Sequence, residues 1–426
     1  YMDEFFIVGG NKLFGSVNID GAKNSLLPIL AGCILVDDEV LLKSVPRYSD
    51  VLAMIEILRH LGAKVEWQGQ DLYINCRGIC ACDVPHELAC KVRSSIFTLG
   101  PITARTGKAK VSYPGGCDIG LRPIDLHLAG LKQLGCKVIE KNGYIYVDGQ
   151  KLQARDYMLP FASVGASENI MMLASCAKGH TRIFNPAREP EICDLERFLN
   201  GCGAKISGAG SNVIMVEGVK KLHGCEFSVM PDRIEAGTFM IACVMCGGEV
   251  ELKNAIAKDN ESLITKLQKT ACKIYCDRDR IVVKSKGRPI AFGEIETEVY
   301  PGFPTDLQAQ MCALASICDG YSLIIENLFE SRFKHIGELL KMGADIKMKN
   351  GVCVVHGKEK IYGAEVTSTD LRGGAGLVLC GLVAEGYTTV RKVDLIDRGY
   401  FKLEEKLRAL GGDIKRIKCE KKVGNC

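Results

Sequence analysis

Between Tyr113 and Pro123 the chain gathers Pro114, Gly115, Gly116, Cys117, Gly120 and Arg122. Glycine and proline at that density predict a mobile loop that exposes its thiol. Arg122 and cations from elsewhere in the chain would lower the pKa of Cys117 toward that of a usable acid or nucleophile. In a chain with 21 cysteines, an incidental turn cysteine is the plain alternative.

Four cations stand in Gly, Asp or Pro contexts rather than on helix faces: Lys23 in Gly21-Ala22-Lys23-Asn24, Arg122, Arg372 in Thr369-Asp370-Leu371-Arg372, and Arg398 in Asp397-Arg398-Gly399. Such groups can clamp phosphate and carboxylate, with arginine favoured for bidentate contacts. Taken singly, each also reads as a solvated or salt-bridged surface residue. Asp306, after Phe303-Pro304-Thr305, is either a helix cap or a general base at a helix start. His127 follows Asp125 at a predicted helix start, where the pair could orient an imidazole or simply cap and pack.

Metal chemistry finds little support. Cys76, Cys80, Cys82, Cys90 and His86 match no paired C-x-x-C arrangement, and Cys80 and Cys82 alternate as strand residues would. Cys243 and Cys246 have the C-x-x-C spacing but lie in an apolar helical run, which predicts core packing. There is neither a P-loop nor a G-x-G-x-x-G fingerprint, so phosphate binding falls to scattered side chains and helix ends. No metal and no cofactor are expected.

A sixfold repeat positions these residues. About every 70 residues a strand leads through a turn to an amphipathic helix, and a Gly-Ala-Lys-like turn leads into the next strand. The second turn recurs at Leu61-Gly62-Ala63-Lys64, Leu134-Gly135-Cys136-Lys137, Cys202-Gly203-Ala204-Lys205, Ala271-Cys272-Lys273, Met342-Gly343-Ala344-Asp345 and Leu410-Gly411-Gly412-Asp413. Five copies have the glycine that suits a left-handed helix cap, and Ala271 in the fourth predicts a different cap there. A second, more apolar helix is visible at Ile170 to Ala177, Phe239 to Cys246 and Leu377 to Val383. Units with open apolar faces must stack, and six of them predict two halves of three dividing near Met230-Pro231, with an active-site cleft between the halves.

Bulk composition agrees with a soluble globular protein. Of 426 residues 47% are hydrophobic, and 55 basic against 51 acidic residues leave a net charge of +4. That balance argues against a nucleic-acid partner while allowing a local cationic pocket. Apolar runs break before the roughly 18 residues of a membrane span. The start Tyr1-Met2-Asp3-Glu4 lacks the features of a secretory signal, so a cytoplasmic protein with reduced thiols and no evident obligate protein partner is expected.

In order along the chain, Gly21-Ala22-Lys23-Asn24, Pro114-Gly115-Gly116-Cys117 with Gly120-Leu121-Arg122-Pro123-Ile124-Asp125-Leu126-His127, and Ala187-Arg188-Glu189-Pro190-Glu191 resemble the UDP-N-acetylglucosamine enolpyruvyl transferase family. Pro231-Asp232-Arg233-Ile234-Glu235, Phe303-Pro304-Thr305-Asp306 and Asp397-Arg398-Gly399-Tyr400 extend the resemblance over essentially the whole chain. It implies an inside-out α/β barrel fold of two domains, each of three repeated units with buried helices and outer sheets. Residues 21–230 would form the first domain and 1–20 with 231–426 the second, with the active site between them.

The resemblance further implies transfer of the enolpyruvyl group of phosphoenolpyruvate to the 3-hydroxyl of UDP-N-acetylglucosamine, the first committed step of peptidoglycan synthesis. Lys23, Arg122 and Arg398 would hold phosphoenolpyruvate with Asn24 and Arg93 nearby, and Arg372 would join the substrate-binding set. Arg122, Pro123, Ile124, Asp125 and Leu126, then Ser163, Val164 and Gly165, with Asp306 and Leu328, match segments that hold the UDP-sugar. Asp306 would be the base near the sugar hydroxyl and Cys117 the acid or covalent partner, alkylated by the epoxide fosfomycin. Phe161 and Leu395 depart from the lysine and histidine that some members carry. The rival readings are the shikimate-pathway enolpyruvyl transferase, which is not expected to carry the Pro-Gly-Gly-Cys loop, and a non-catalytic UDP-sugar binder on the same scaffold.

Overall fold

Each repeat builds a sheet of four strands, and the computed structural model, which describes residues 3–115, 120 and 123–418, contains six of them. Two units divide the described chain: an inserted unit of residues 21–115 and 123–230, and a split unit of 3–20, 120 and 231–418. Three sheets fall in each, and all six share one pattern, a parallel edge strand, short in five of them, followed by three antiparallel ones. Asp83–Val84, Lys108–Ser112, Tyr144–Asp148 and Lys137–Lys141 form one example in that order.

Chain ends close the sets. Glu226–Ser228 pairs in parallel with Glu39–Lys43 within the inserted unit. In the split unit Glu4–Val8 lies between Tyr387–Arg391 and Asp413–Ile417, while Leu13–Asn18 pairs in parallel with Gly248–Lys253. Phe5 and Ile7 point into the core, as period-two alternation requires.

Two kinds of helix pack beneath these sheets. Amphipathic helices such as Ser49–Leu61, Pro190–Gly201 and Glu261–Gln268 bury one face. Val164–Ala174, Arg233–Cys246, Gln308–Ala315 and Leu371–Val383 are buried nearly all round. In the split unit the last three pack on one another and form the centre of its core. Three of the buried helices begin six residues before the apolar runs that announce them, because their first turns are polar and start from the N-caps Ser163, Asp232 and Asp370. Val164–Ala174 also ends short of Ala177, where the amides of Cys176 and Ala177 turn back to the carbonyls of Leu173 and Ala174.

The fourth repeat turn corrects the sequence expectation. Ala271 has φ 70°, the same left-handed conformation as Gly62 at 114°, Gly203 at 92° and Gly343 at 87°. Topology fixes this backbone, so the alanine tolerates a strain of about 1 kcal/mol rather than changing the cap. Cys80 and Cys82 likewise lie outside any strand, the nearest being Asp83–Val84. No helix among the described residues is long and apolar enough to cross a membrane.

Candidate active site

In the inserted unit, Lys23 is the first residue of the buried helix Lys23–Gly32 and is itself buried. Its Nζ lies 2.9 Å from Asp50 Oδ2 in the first turn of Ser49–Leu61. The N-cap residue Ala22 has no polar side chain to offer the Lys23 helix, and the positive end of the helix dipole adds to the ammonium. Asn24 beside it is half-buried. Ser25 Oγ donates to Asp194 Oδ2, which also accepts from Met230 N at 3.0 Å, so one carboxylate fixes both the first helix and the end of the unit.

Three further segments named from the sequence converge on Asn169. Its Nδ2 donates to Ile96 O at 2.9 Å and meets His127 Nδ1 at 3.1 Å, while its Oδ1 accepts from Gly100 N at 2.8 Å. Accepting that bond leaves the proton of a neutral His127 on Nε2. Half-buried Arg93 opens the turn Arg93–Thr98, which contains Ile96. Pro123 and Asp125 are exposed, Ile124 is buried, and the Leu126 carbonyl accepts from Tyr157 Oη at 3.3 Å. Ser163 caps the helix Val164–Ala174 through Ala166 N, and a side chain at Gly165 would meet the rings of Phe97 and His127. His127 is thus a buried, oriented residue.

Gly115 has a specific reason to be glycine. Its amide donates to Ala89 O at 3.1 Å, and a Cβ would fall 2.1 Å from Cys90 O. Cys117 and Arg122, on which the catalytic and phosphate-binding expectations rest, lie outside the described residues. Among the described residues no group of His, Cys, Asp and Glu could hold a metal ion.

In the split unit, Asp306 is no helix cap, because the helix Gln308–Ala315 begins without a side-chain cap. One Asp306 oxygen lies 2.7 Å from Arg332 Nη2 and the other 3.1 Å from Arg372 Nη2. Both arginine side chains are nearly inaccessible, at 4% and 2%, whereas Asp306 keeps 25% exposure. The guanidiniums therefore stand behind the carboxylate and aim it outward. Arg372 also lies over the Tyr400 ring, 5.3 Å from its centroid, and Tyr400 Oη meets Thr238 Oγ1 at 2.7 Å and Gln310 Nε2 at 3.1 Å. Asp370 caps Leu371–Val383 through the amides of Arg372 and Gly373. Burial pushes the nearby His335 imidazole down to about 4, with Asp370 opposing and Arg332 reinforcing the shift, so it is neutral at pH 7.

Sequence reasoning missed Arg332, His335 and Asp370. Arg332 lies in Glu330-Ser331-Arg332-Phe333, with no Gly, Pro or Asp neighbour of the kind that drew notice to the other cations. Lys23 and Arg372 depart from the surface reading open to them singly, since both are buried and ion-paired. Half-buried Arg398 follows Asp397, which is held by Arg416 at 2.6 Å. Leu328 is also half-buried, its amide donating to Glu326 Oε1 at 3.0 Å. Phe161 is exposed and Leu395 half-buried.

Comparison with known proteins follows this geometry. Residues 7–407 match the EPSP synthase (3-phosphoshikimate 1-carboxyvinyltransferase) family. A UDP-N-acetylglucosamine 1-carboxyvinyltransferase 2 of Caldanaerobacter subterraneus is 49% identical across 98% of this chain and 100% of its own. The UDP-N-acetylglucosamine 1-carboxyvinyltransferase of Shewanella piezotolerans is 44% identical with the same coverage. Among solved structures, the enolpyruvyl transferase NikO from Streptomyces tendae superposes with a TM-score of 0.88 at 22% identity, covering 98% of this chain and 99% of that one. An EPSP synthase from Acinetobacter baumannii gives 0.76 at 19% identity over 98% and 100% of the two chains. At such identities the superpositions speak to the fold.

Proposed function

The chain belongs to the EPSP synthase (3-phosphoshikimate 1-carboxyvinyltransferase) family, and from that premise we propose that it moves the enolpyruvyl group of phosphoenolpyruvate onto the 3-hydroxyl of UDP-N-acetylglucosamine, releasing phosphate. The observation that carries this reading is the 44–49% identity over 97–98% of the chain to relatives bearing the UDP-N-acetylglucosamine 1-carboxyvinyltransferase name. The reaction serves the entry into peptidoglycan synthesis.

Chemically, the sugar oxygen bonds to C2 of phosphoenolpyruvate as C3 takes a proton. The C2–O bond to phosphate then breaks and C3 returns its proton, leaving the enol ether. Asp306, the exposed carboxylate backed by Arg332 and Arg372, is the group to accept the hydroxyl proton. Cys117 is the acid or covalent partner on phosphoenolpyruvate. Lys23, at the positive end of a helix dipole, is suited to a phosphate, as are Arg122 and Arg398, with Asn24 and Arg93 assisting. Residues 123–126 and 163–165 and Leu328 would hold the nucleotide sugar.

The test is phosphate release from phosphoenolpyruvate with UDP-N-acetylglucosamine or with shikimate 3-phosphate as acceptor. Release with the nucleotide sugar alone is expected. Release only with shikimate 3-phosphate, or with neither, would overturn the proposal.

A further inference from the structure

Away from the candidate catalytic groups, the inserted unit brings two thiols together. Cys202 is the C-cap of the helix Pro190–Gly201, and Cys225 immediately precedes the strand Glu226–Ser228. Their Sγ atoms are 3.3 Å apart across a sequence separation of 23 residues, and both are free thiols. Cys202 is buried and Cys225 half-buried, so one sulfur is covered while the other can be approached.

The backbone around them is already joined. Cys202 donates to Phe198 O and Leu199 O, and its carbonyl accepts from His223 N at 2.9 Å, two residues before Cys225. Gly224 lies so close to the Glu39 carbonyl that a Cβ would come within 1.9 Å of its oxygen, which fixes the residue next to Cys225. A disulfide needs the sulfurs at about 2.05 Å. An approach of the two sulfurs by roughly an ångström supplies the difference.

We propose that Cys202 and Cys225 are a redox-sensitive dithiol, a modification site that a low-molecular-weight disulfide converts into an internal disulfide. Cys225 is the attacking group, being the more accessible, and its hydrogen bond with Cys202 holds its pKa below that of an ordinary thiol. Its thiolate attacks one sulfur of the small disulfide and expels a thiolate, leaving a mixed disulfide on Cys225. Cys202 then loses its proton and attacks the Cys225 sulfur, forming the internal bond and expelling the second small thiol. Two protein thiols are oxidised and one small disulfide is reduced to two thiols.

The bond would tie the C-terminal end of the helix Pro190–Gly201 to the strand that leads out to Met230. That helix also carries Asp194, which anchors Ser25 and Met230. Closing this loop restrains the unfolded chain, so the oxidised protein should melt higher by about 5 °C or more. Cys33 and Cys76 are fully buried nearby and are the competing partners.

The experiment treats the full-length protein with graded 2-hydroxyethyl disulfide, blocks remaining thiols, and maps peptides without reduction. The expected result is a peptide pair joined through Cys202 and Cys225, two hydrogens lighter than its parts and released by dithiothreitol. The upward shift in Tm should accompany it and be absent in Cys225→Ser and Cys202→Ala. Cys225 found only as a mixed disulfide, joined to Cys33 or Cys76, or still free after the exposed cysteines are modified, would overturn the proposal. The wild-type peptide map decides the matter even where a variant fails to fold.

Discussion

The two units bury acids near the starts of closely similar helices and treat them differently. In the split unit Glu235, on Arg233–Cys246, accepts from Lys406 at 2.6 Å and from Asp20 N at 2.8 Å, and Asp306 is held by two arginines. In the inserted unit Glu168, on Val164–Ala174, is completely buried and neither of its oxygens has a hydrogen-bond partner among the described residues. Burial raises both glutamates, helped at Glu168 by Glu191 and Glu189, but Lys406 pulls Glu235 back to about 7 whereas Glu168 stays well above its ordinary value. A repeated fold thus fixes where polar groups are buried but not how they are neutralised. One unit uses cations and the other a retained proton.

Removing the acid that two buried arginines share should do the most damage. Asp306→Ala leaves two buried guanidiniums without their carboxylate, so a loss of about 3 kcal/mol or more is expected in urea unfolding. Phosphate release should fall at least about 100-fold. A variant as active and as stable as wild type would remove both the paired-charge account and the base role.

The two glutamates give a sharper contrast. Both carboxyls are raised, so both glutamine variants should gain on wild type as pH rises above 4.5: the gain of Glu235→Gln should level off near pH 8, just above its folded pKa of about 7, whereas that of Glu168→Gln should go on climbing. A carboxyl whose folded pKa lies above its unfolded value of 4.5 favours folding fully only below that value, and the advantage is lost as pH rises toward the folded pKa. Relative to wild type, the urea midpoint of Glu168→Gln should therefore climb between pH 5 and pH 8. Parallel midpoints across that range would show that Glu168 ionises normally. The smallest effect is expected at the fourth repeat turn, where Ala271→Gly relieves the positive φ at the expense of a floppier unfolded chain. A gain of at most about 1 kcal/mol, seen as a rise of a few degrees in Tm, checks it.

Repetition made the architecture legible: the turns at Gly62, Gly135, Gly203, Gly343 and Gly411 mark helix ends directly, and the apolar runs betray the buried helices. Their polar first turns were invisible to a hydrophobic signal, although those turns carry the caps. Turn contexts pointed to Lys23, Arg372 and Arg398, since glycine and aspartate mark places where the chain bends. Arg332 escaped because nothing local distinguishes it, and only tertiary packing brings it to Asp306. Cys202 and Cys225 were hidden for the same reason, as spacing along the chain says nothing of a meeting across a sheet edge.

The position of Glu4–Val8 between two strands from the far end of the chain bears on how the protein is made. Ribosomes add about 5–20 residues per second, so that strand waits roughly 20 to 80 seconds for its neighbours. The inserted unit needs only residues up to Met230 and can close while the rest is still being synthesised. The newborn chain therefore carries an unpaired apolar strand past an already folded body, and chaperones or fast translation late in the message would protect it.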